Sequence, residues 1–143
     1  MRKLDPKEVS KKAVKLFKEK GYMWSEAVFS AVAENLLSEI PVNLASCFGG
    51  GIGGKKHLCG AIAGAILALG IKYGRKNLTK EEKLKAFSAS SKLYEKFKET
   101  FYSVECWELT NCEQDEKKRK QEICPKYVEK ATFLAVEIIN EEG

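Results

Sequence analysis

The chain has 143 residues, 44% hydrophobic and 31% charged, with 25 Lys and Arg against 20 Asp and Glu. That length and balance make one folded domain with a real core and exclude a disordered chain. The net charge of +5 is spread through mixtures such as Lys7-Glu8 and Lys80-Glu81-Glu82-Lys83, which read as solvated helix faces, so no nucleic-acid partner is expected. The segment Met1 to Lys7 has no apolar stretch that could serve as a secretory signal. The most apolar run, Leu58 to Ile71, is too short to span a bilayer. A cytoplasmic protein without a membrane partner is therefore expected. Five cysteines in a reducing compartment favour redox or metal chemistry over structural staples, and an odd number leaves one unpaired.

Asp5-Pro6-Lys7-Glu8 predicts a helix start, with Asp as cap and Pro at the first position. Val9, Ala13, Leu16 and Phe17 share one face, and Gly21 ends the helix. Ser25 is the expected cap of a second helix, along which Val28, Ala31, Val32 and Leu36 recur until Pro41 intervenes. A glycine-rich loop, Phe48-Gly49-Gly50-Gly51-Ile52-Gly53-Gly54, precedes a third helix from about Cys59 to Tyr73. Gly60, Ala61, Ala63, Gly64, Ala65 and Ala68 line that helix with small side chains. Such a face suits close packing within the chain and equally a helix-mediated homodimer.

Thr79-Lys80-Glu81-Glu82 opens a long fourth helix, with Leu84, Phe87, Tyr94, Phe97 and Phe101 expected as its core stripe. Residues 113–122 are nearly all charged and read as an exposed loop or frayed helix. Cys124-Pro125 then starts a last helix whose core face is Tyr127, Val128, Ala131, Leu134, Ala135 and Ile138. Trp24 and Trp107 are expected to be partly buried packing residues. No segment alternates with period two, so the expectation is all-α: a single domain over residues 1–143, a bundle of about five helices with the glycine-rich loop before the third.

Gly49 to Lys55 superficially fits both the dinucleotide and the phosphate-loop glycine patterns. Neither the strand before it nor the hydroxyl after the lysine is present, since Lys56 stands there. A tight turn that presses other groups against the Cys59 helix is expected instead.

Cys59 stands where a helix start favours a thiolate, and Lys55, Lys56 and His57 add positive charge. Cys124 precedes the proline of another expected helix start, and Cys106 follows the long helix, so the three could converge at one end of a bundle. Two readings stand open. In the first, Cys59 attacks a disulfide or oxidant and Cys106 or Cys124 resolves the intermediate, which needs no cofactor and makes a thiol–disulfide oxidoreductase with its own redox partner. In the second, Cys59, Cys106 and Cys124, with His57 as a fourth donor, hold a metal, a cluster or a haem-type cofactor for electron transfer or trafficking. No CxxC spacing supports a cluster directly. Cys47 and Cys112 are secondary candidates.

At Cys59-Gly60-Ala61-x-x-Gly64, with the glycine-rich loop before it and Cys106 and Cys124 after it, the chain resembles a known family. It is the family of redox-active proteins named for a C–GCAxxG–C–C cysteine pattern. The resemblance runs from about Gly21 to Ala135 and includes Ala65 to Gly74 and Glu108-Leu109-Thr110. It implies a helical fold and a redox-active cysteine set, with Cys59, Cys106 and Cys124 matching three of the family's four cysteines. Trp24 occupies the place of the first, before Ala27-Val28. One of the additional thiols, Cys47 or Cys112, is expected to compensate in part.

Overall fold

A computed structural model describes residues 3–37 and 39–141. The first two residues of the segment read above for a signal, and the last two of the expected domain, lie outside them. Eight α-helical segments occur among the described residues, where the sequence suggested about five: α1 Pro6–Glu19, α2 Trp24–Ala33, α3 Asn43–Ser46, α4 Gly60–Tyr73, α5 Lys80–Phe101, α6 Cys106–Leu109, α7 Glu116–Lys118 and α8 Pro125–Glu141. A π-helical turn, Arg119–Ile123, joins α7 to α8. The three additional helices are single turns inside segments that lack a hydrophobic period long enough to show in sequence. No strand forms among the described residues. The one extended pairing is an isolated antiparallel bridge between Leu58 and Glu105.

The long helices start for the reasons the sequence suggests. Asp5 accepts the amide of Lys7 at 3.0 Å, and the Thr79 hydroxyl accepts that of Glu82 at 3.2 Å. Gly21, just past α1, has a left-handed φ of +78°. The second helix departs from expectation. Its cap is Met23, whose amide donates to the Glu26 carboxylate at 2.9 Å. Ser25 lies inside the helix, fully buried, and donates to the Ala45 carbonyl at 2.6 Å. The helix also stops at Ala33, before Leu36.

Almost every residue of α2 is buried, because α1, α4 and α8 all pack around it. The small-residue face of α4 is used internally. A Cβ on Gly64 would stand 2.3 Å from the Ser25 carbonyl oxygen, and one on Gly60 would stand 3.2 Å from the Trp24 Cβ. These absent side chains let α2 and α4 approach closely. In α8, Tyr127, Val128, Ala131, Leu134, Ala135 and Ile138 are buried as expected.

The predicted core stripe of α5 is corrected. Leu84, Phe87 and Tyr94 are 56%, 60% and 38% exposed, and Ala89, Leu93 and Phe97 are the buried residues. This helix lies on the outside, covered only along the side that meets α4 and α8. Trp107 is likewise 47% exposed, whereas Trp24 is buried. Among the described residues no helix is long and apolar enough to cross a membrane.

Candidate functional site

The glycine-rich loop folds on its own carbonyls. The amides of Ile52, Gly53, Gly54, Lys56 and His57 donate to Phe48, Cys47, Gly49, Gly50 and Gly51 over 2.9 to 3.2 Å. Donors committed in this way leave little to cradle a phosphate, and a compact turn results. Gly51 is the critical position. Its φ is +72°, and a Cβ there would lie 2.8 Å from the Cys106 Cβ and 2.7 Å from the His57 amide nitrogen.

The segment leaving the loop pairs with the segment leaving α5. Cys59 N–H donates to the Val104 carbonyl at 2.8 Å, Cys106 N–H to His57 at 2.5 Å and Trp107 N–H to Lys56 at 3.0 Å. The pairing fixes Cys59 at the cap of α4 beside Cys106, the first residue of α6. Cys106 was expected at a helix end and stands at a helix start. Cys124 arrives from the third side. It closes the π-helical turn by donating its amide to the Arg119 carbonyl at 2.8 Å, and α8 begins at the next residue.

The three cysteines line one small cavity with Trp24, Gly60 and Tyr127. About 10 Å³ of it is open to the centre of a water-sized sphere, room for roughly one water molecule. The Tyr127 hydroxyl donates to the Leu109 carbonyl at 2.7 Å and ties α6 to α8 beneath the cavity. All five cysteines are unpaired thiols. Cys59 and Cys124 are 5% and 3% exposed, whereas Cys106 is half-buried.

Burial decides the protonation of these thiols, against the thiolate expected at Cys59. Desolvation pushes Cys59 up to about 12, outweighing the opposing pull of the Ile62 and Ala61 amides at the start of α4. Desolvation likewise pushes Cys124 up to about 11, although the Trp24 indole and the Arg119 charge oppose it. Cys106 is also raised by desolvation. The cations that lower it are Lys56 and Arg119, and Glu105 opposes them. Of the positive charges that the sequence assigned to Cys59, Lys56 thus acts on Cys106 instead.

The other candidates lie outside the cavity lining. The His57 side chain is 70% exposed and pairs with Glu105 at 3.7 Å, so only its backbone belongs to the site. Cys47, at the end of α3, and Cys112, with φ +60°, are both exposed. Sequence reasoning placed Trp24 only at the position of the family's first cysteine, and it missed Tyr127 in the lining and Arg119, whose carbonyl holds the Cys124 amide. Tyr127 could have been found one helical turn after Cys124; Arg119 carries no comparable signal.

A family model described as "Putative redox-active protein (C_GCAxxG_C_C)" matches residues 22–138. The chain belongs to this family. The match agrees with the resemblance read from about Gly21 to Ala135. The pattern in the family's name sets glycine before its second cysteine; here Cys59 precedes Gly60, whose missing Cβ admits the start of α2. Among solved structures, the fold is similar to one titled for a novel iron centre in the split-Soret cytochrome c from Desulfovibrio desulfuricans. The TM-score is 0.73 at 22% identity, over 99% of this chain and 70% of that one. No protein of curated function matches the sequence.

An iron centre in that neighbour raises the question of whether the residues here fit a metal. Among the described residues no three His, Cys, Asp or Glu side chains stand together closely enough to hold an ion. The cavity's other walls include the Trp24 indole, which has no free lone pair for a metal, and Tyr127, whose hydroxyl is committed to the Leu109 carbonyl, while the exposed His57 ring pairs with Glu105. The side chains as placed do not fit a metal site.

Proposed function

We propose that this chain is a thiol-based redox protein of its family, a thiol–disulfide oxidoreductase in which Cys106 is the entry thiol. The observation that carries this reading is that Cys59, Cys106 and Cys124, from three separate segments, line one cavity and only Cys106 is half-exposed. After losing its proton to solvent, Cys106 attacks one sulfur of a partner disulfide and expels the other as a thiolate, which takes up a proton. Cys59 or Cys124 then gives up its proton and attacks the Cys106 sulfur. That closes an intramolecular disulfide and releases the second partner thiol. Two protein thiols are oxidised and one partner disulfide is reduced. The buried thiols hold their protons until the mixed disulfide forms, which keeps the resting pocket reduced and unreactive.

The test is a count of thiols by alkylation and intact mass, on anaerobically purified and mildly oxidised protein, with metal measured on the same sample. Reversible loss of two thiols, mapped to Cys106 and one of the buried pair in metal-free protein, is expected. Thiols blocked by bound metal until chelation, or five unresponsive thiols, would overturn the proposal.

A further inference from the structure

The pattern in the family's name has four cysteines, and Cys59, Cys106 and Cys124 match three of them. Trp24 stands at the place of the first, and it lines the same cavity as the other three. Four segments meet there: the start of α2 with Trp24, the cap of α4 with Cys59, the start of α6 with Cys106 and, just before α8, Cys124. The indole is held in place. Trp24 is 8% exposed, its ring lies 5.4 Å from that of Phe17 on α1, and its Cβ stands 3.2 Å from where Gly60 would carry one. An indole nitrogen donates a hydrogen bond and has no lone pair for a metal.

A closed thiolate site takes four donors in a tetrahedron, and an open one takes three donors and a water. Neither assembles here. The Tyr127 hydroxyl is bonded to the Leu109 carbonyl, the exposed His57 ring pairs with Glu105, and Cys47 and Cys112 are exposed and outside the lining, so no side chain supplies a fourth donor. An ion with its own water needs more than the 10 Å³ or so of open volume, and the three thiols do not stand close enough to share an ion.

We infer that Trp24 is the specificity-determining residue of the cysteine cavity, the side chain that stands in the place of a fourth donor and keeps the three thiols free of metal. The indole both withholds that donor and fills the space into which the thiols would draw together around an ion. Ligation would also take the thiol protons, which this arrangement leaves in place for exchange chemistry. The inference rests on the redox reading for the use of the free thiols, whereas the donor count stands apart from it.

The experiment uses the full chain with Cys47→Ser and Cys112→Ser, carrying Trp24, Trp24→Cys or Trp24→His. Reduced, anaerobic protein is titrated with cobalt(II) near neutral pH. Binding is read from thiolate-to-cobalt charge-transfer absorption and the ion count from native mass. Trp24→Cys should take about one ion per chain, on the order of a hundredfold more tightly than the Trp24 protein. Trp24→His keeps a planar ring, adds a nitrogen donor and should gain affinity in the same direction. Since metal binding can drive folding, a variant that is unfolded alone and folds with cobalt counts as binding. One that folds neither way counts against the assignment. Tight binding by the Trp24 protein overturns it, as does a folded Trp24→Cys protein no tighter than its parent. Reversible dithiol oxidation of the native chain with no metal gained by either variant defeats the Trp24 assignment alone. Metal gained by Trp24→Cys in a protein whose native sequence forms no disulfide keeps the assignment and defeats the redox reading.

Discussion

At Cys59 the N–H groups that open α4 meet a sulfur that is only 5% exposed, and loss of hydration outweighs them. The consequence for stability has a definite sign. In the unfolded chain this thiol titrates near pH 8.5, and in the folded protein only at about 12. Between those values the unfolded chain binds fewer protons, so stability is full below about pH 8.5 and falls as pH rises. The loss is on the order of 1 kcal/mol per pH unit for one such group. The urea midpoint of the native sequence should therefore drop more steeply from pH 8.5 to 10.5 than that of Cys59→Ala; parallel slopes would contradict the burial account. Exposure also orders the reactivity of the native thiols. Cys47 and Cys112 should alkylate first, Cys106 next, and Cys59 and Cys124 last, as timed by peptide mass. Cys59 and Cys124 were legible in sequence as thiols at helix starts, but their exposure was not, because burial is contributed by α2 and α8.

At the scale of elements, the α2–α4 contact sets the position of the pocket. Gly64→Ala would ordinarily stabilise a helix by about 1 kcal/mol. Here the new Cβ would fall 2.3 Å from the Ser25 carbonyl. The expected outcome is a net destabilisation of about 1–3 kcal/mol in urea unfolding. The value of small residues along α4 was readable from the sequence; their partner was not. On α5 the helical period was equally readable, but not which part of it is covered. Phe87→Ser at an exposed position should change stability by less than about 1 kcal/mol. Phe97→Ala in the core should cost about 3–5 kcal/mol, and similar losses for the two would restore the stripe first expected.

Over the whole molecule, the long-range ties that hold the bundle together include three between separate segments. The Leu58–Glu105 bridge joins the start of α4 to the end of α5, and the Tyr127 hydroxyl joins α8 to α6. The third runs between the chain ends, where Asn140 bonds both the amide and the carbonyl of Leu4, at 3.0 and 2.8 Å. Tyr127→Phe should cost about 1–3 kcal/mol, because the Leu109 carbonyl, 9% exposed as a residue, loses its partner. It should also speed alkylation of Cys106 as α6 loosens, and an unchanged rate would show that the tie does not govern access. The ordinary surface carries little of this organisation. Its ion pairs, such as Lys92 with Glu141 at 2.8 Å, join half-exposed side chains and add little.

The sequence by itself determined the all-helical class, the starts of α1, α5 and α8, the turn character of the glycine-rich loop and the family. The structural features depend on local chemistry, namely a cap within four residues, a period of 3.6 and a glycine that tolerates positive φ, whereas the family rests on the resemblance of the cysteine pattern. Only the tertiary structure decided that Ser25 is an interior donor, that α5 turns Leu84, Phe87 and Tyr94 outward, and that Arg119 is buried with its carbonyl holding the Cys124 amide. It also left Cys106 the most exposed of the three pocket thiols, where Cys59 was the thiol expected to attack. Those outcomes depend on which surfaces exclude water from which atoms, and desolvation is set by neighbours distant in the chain.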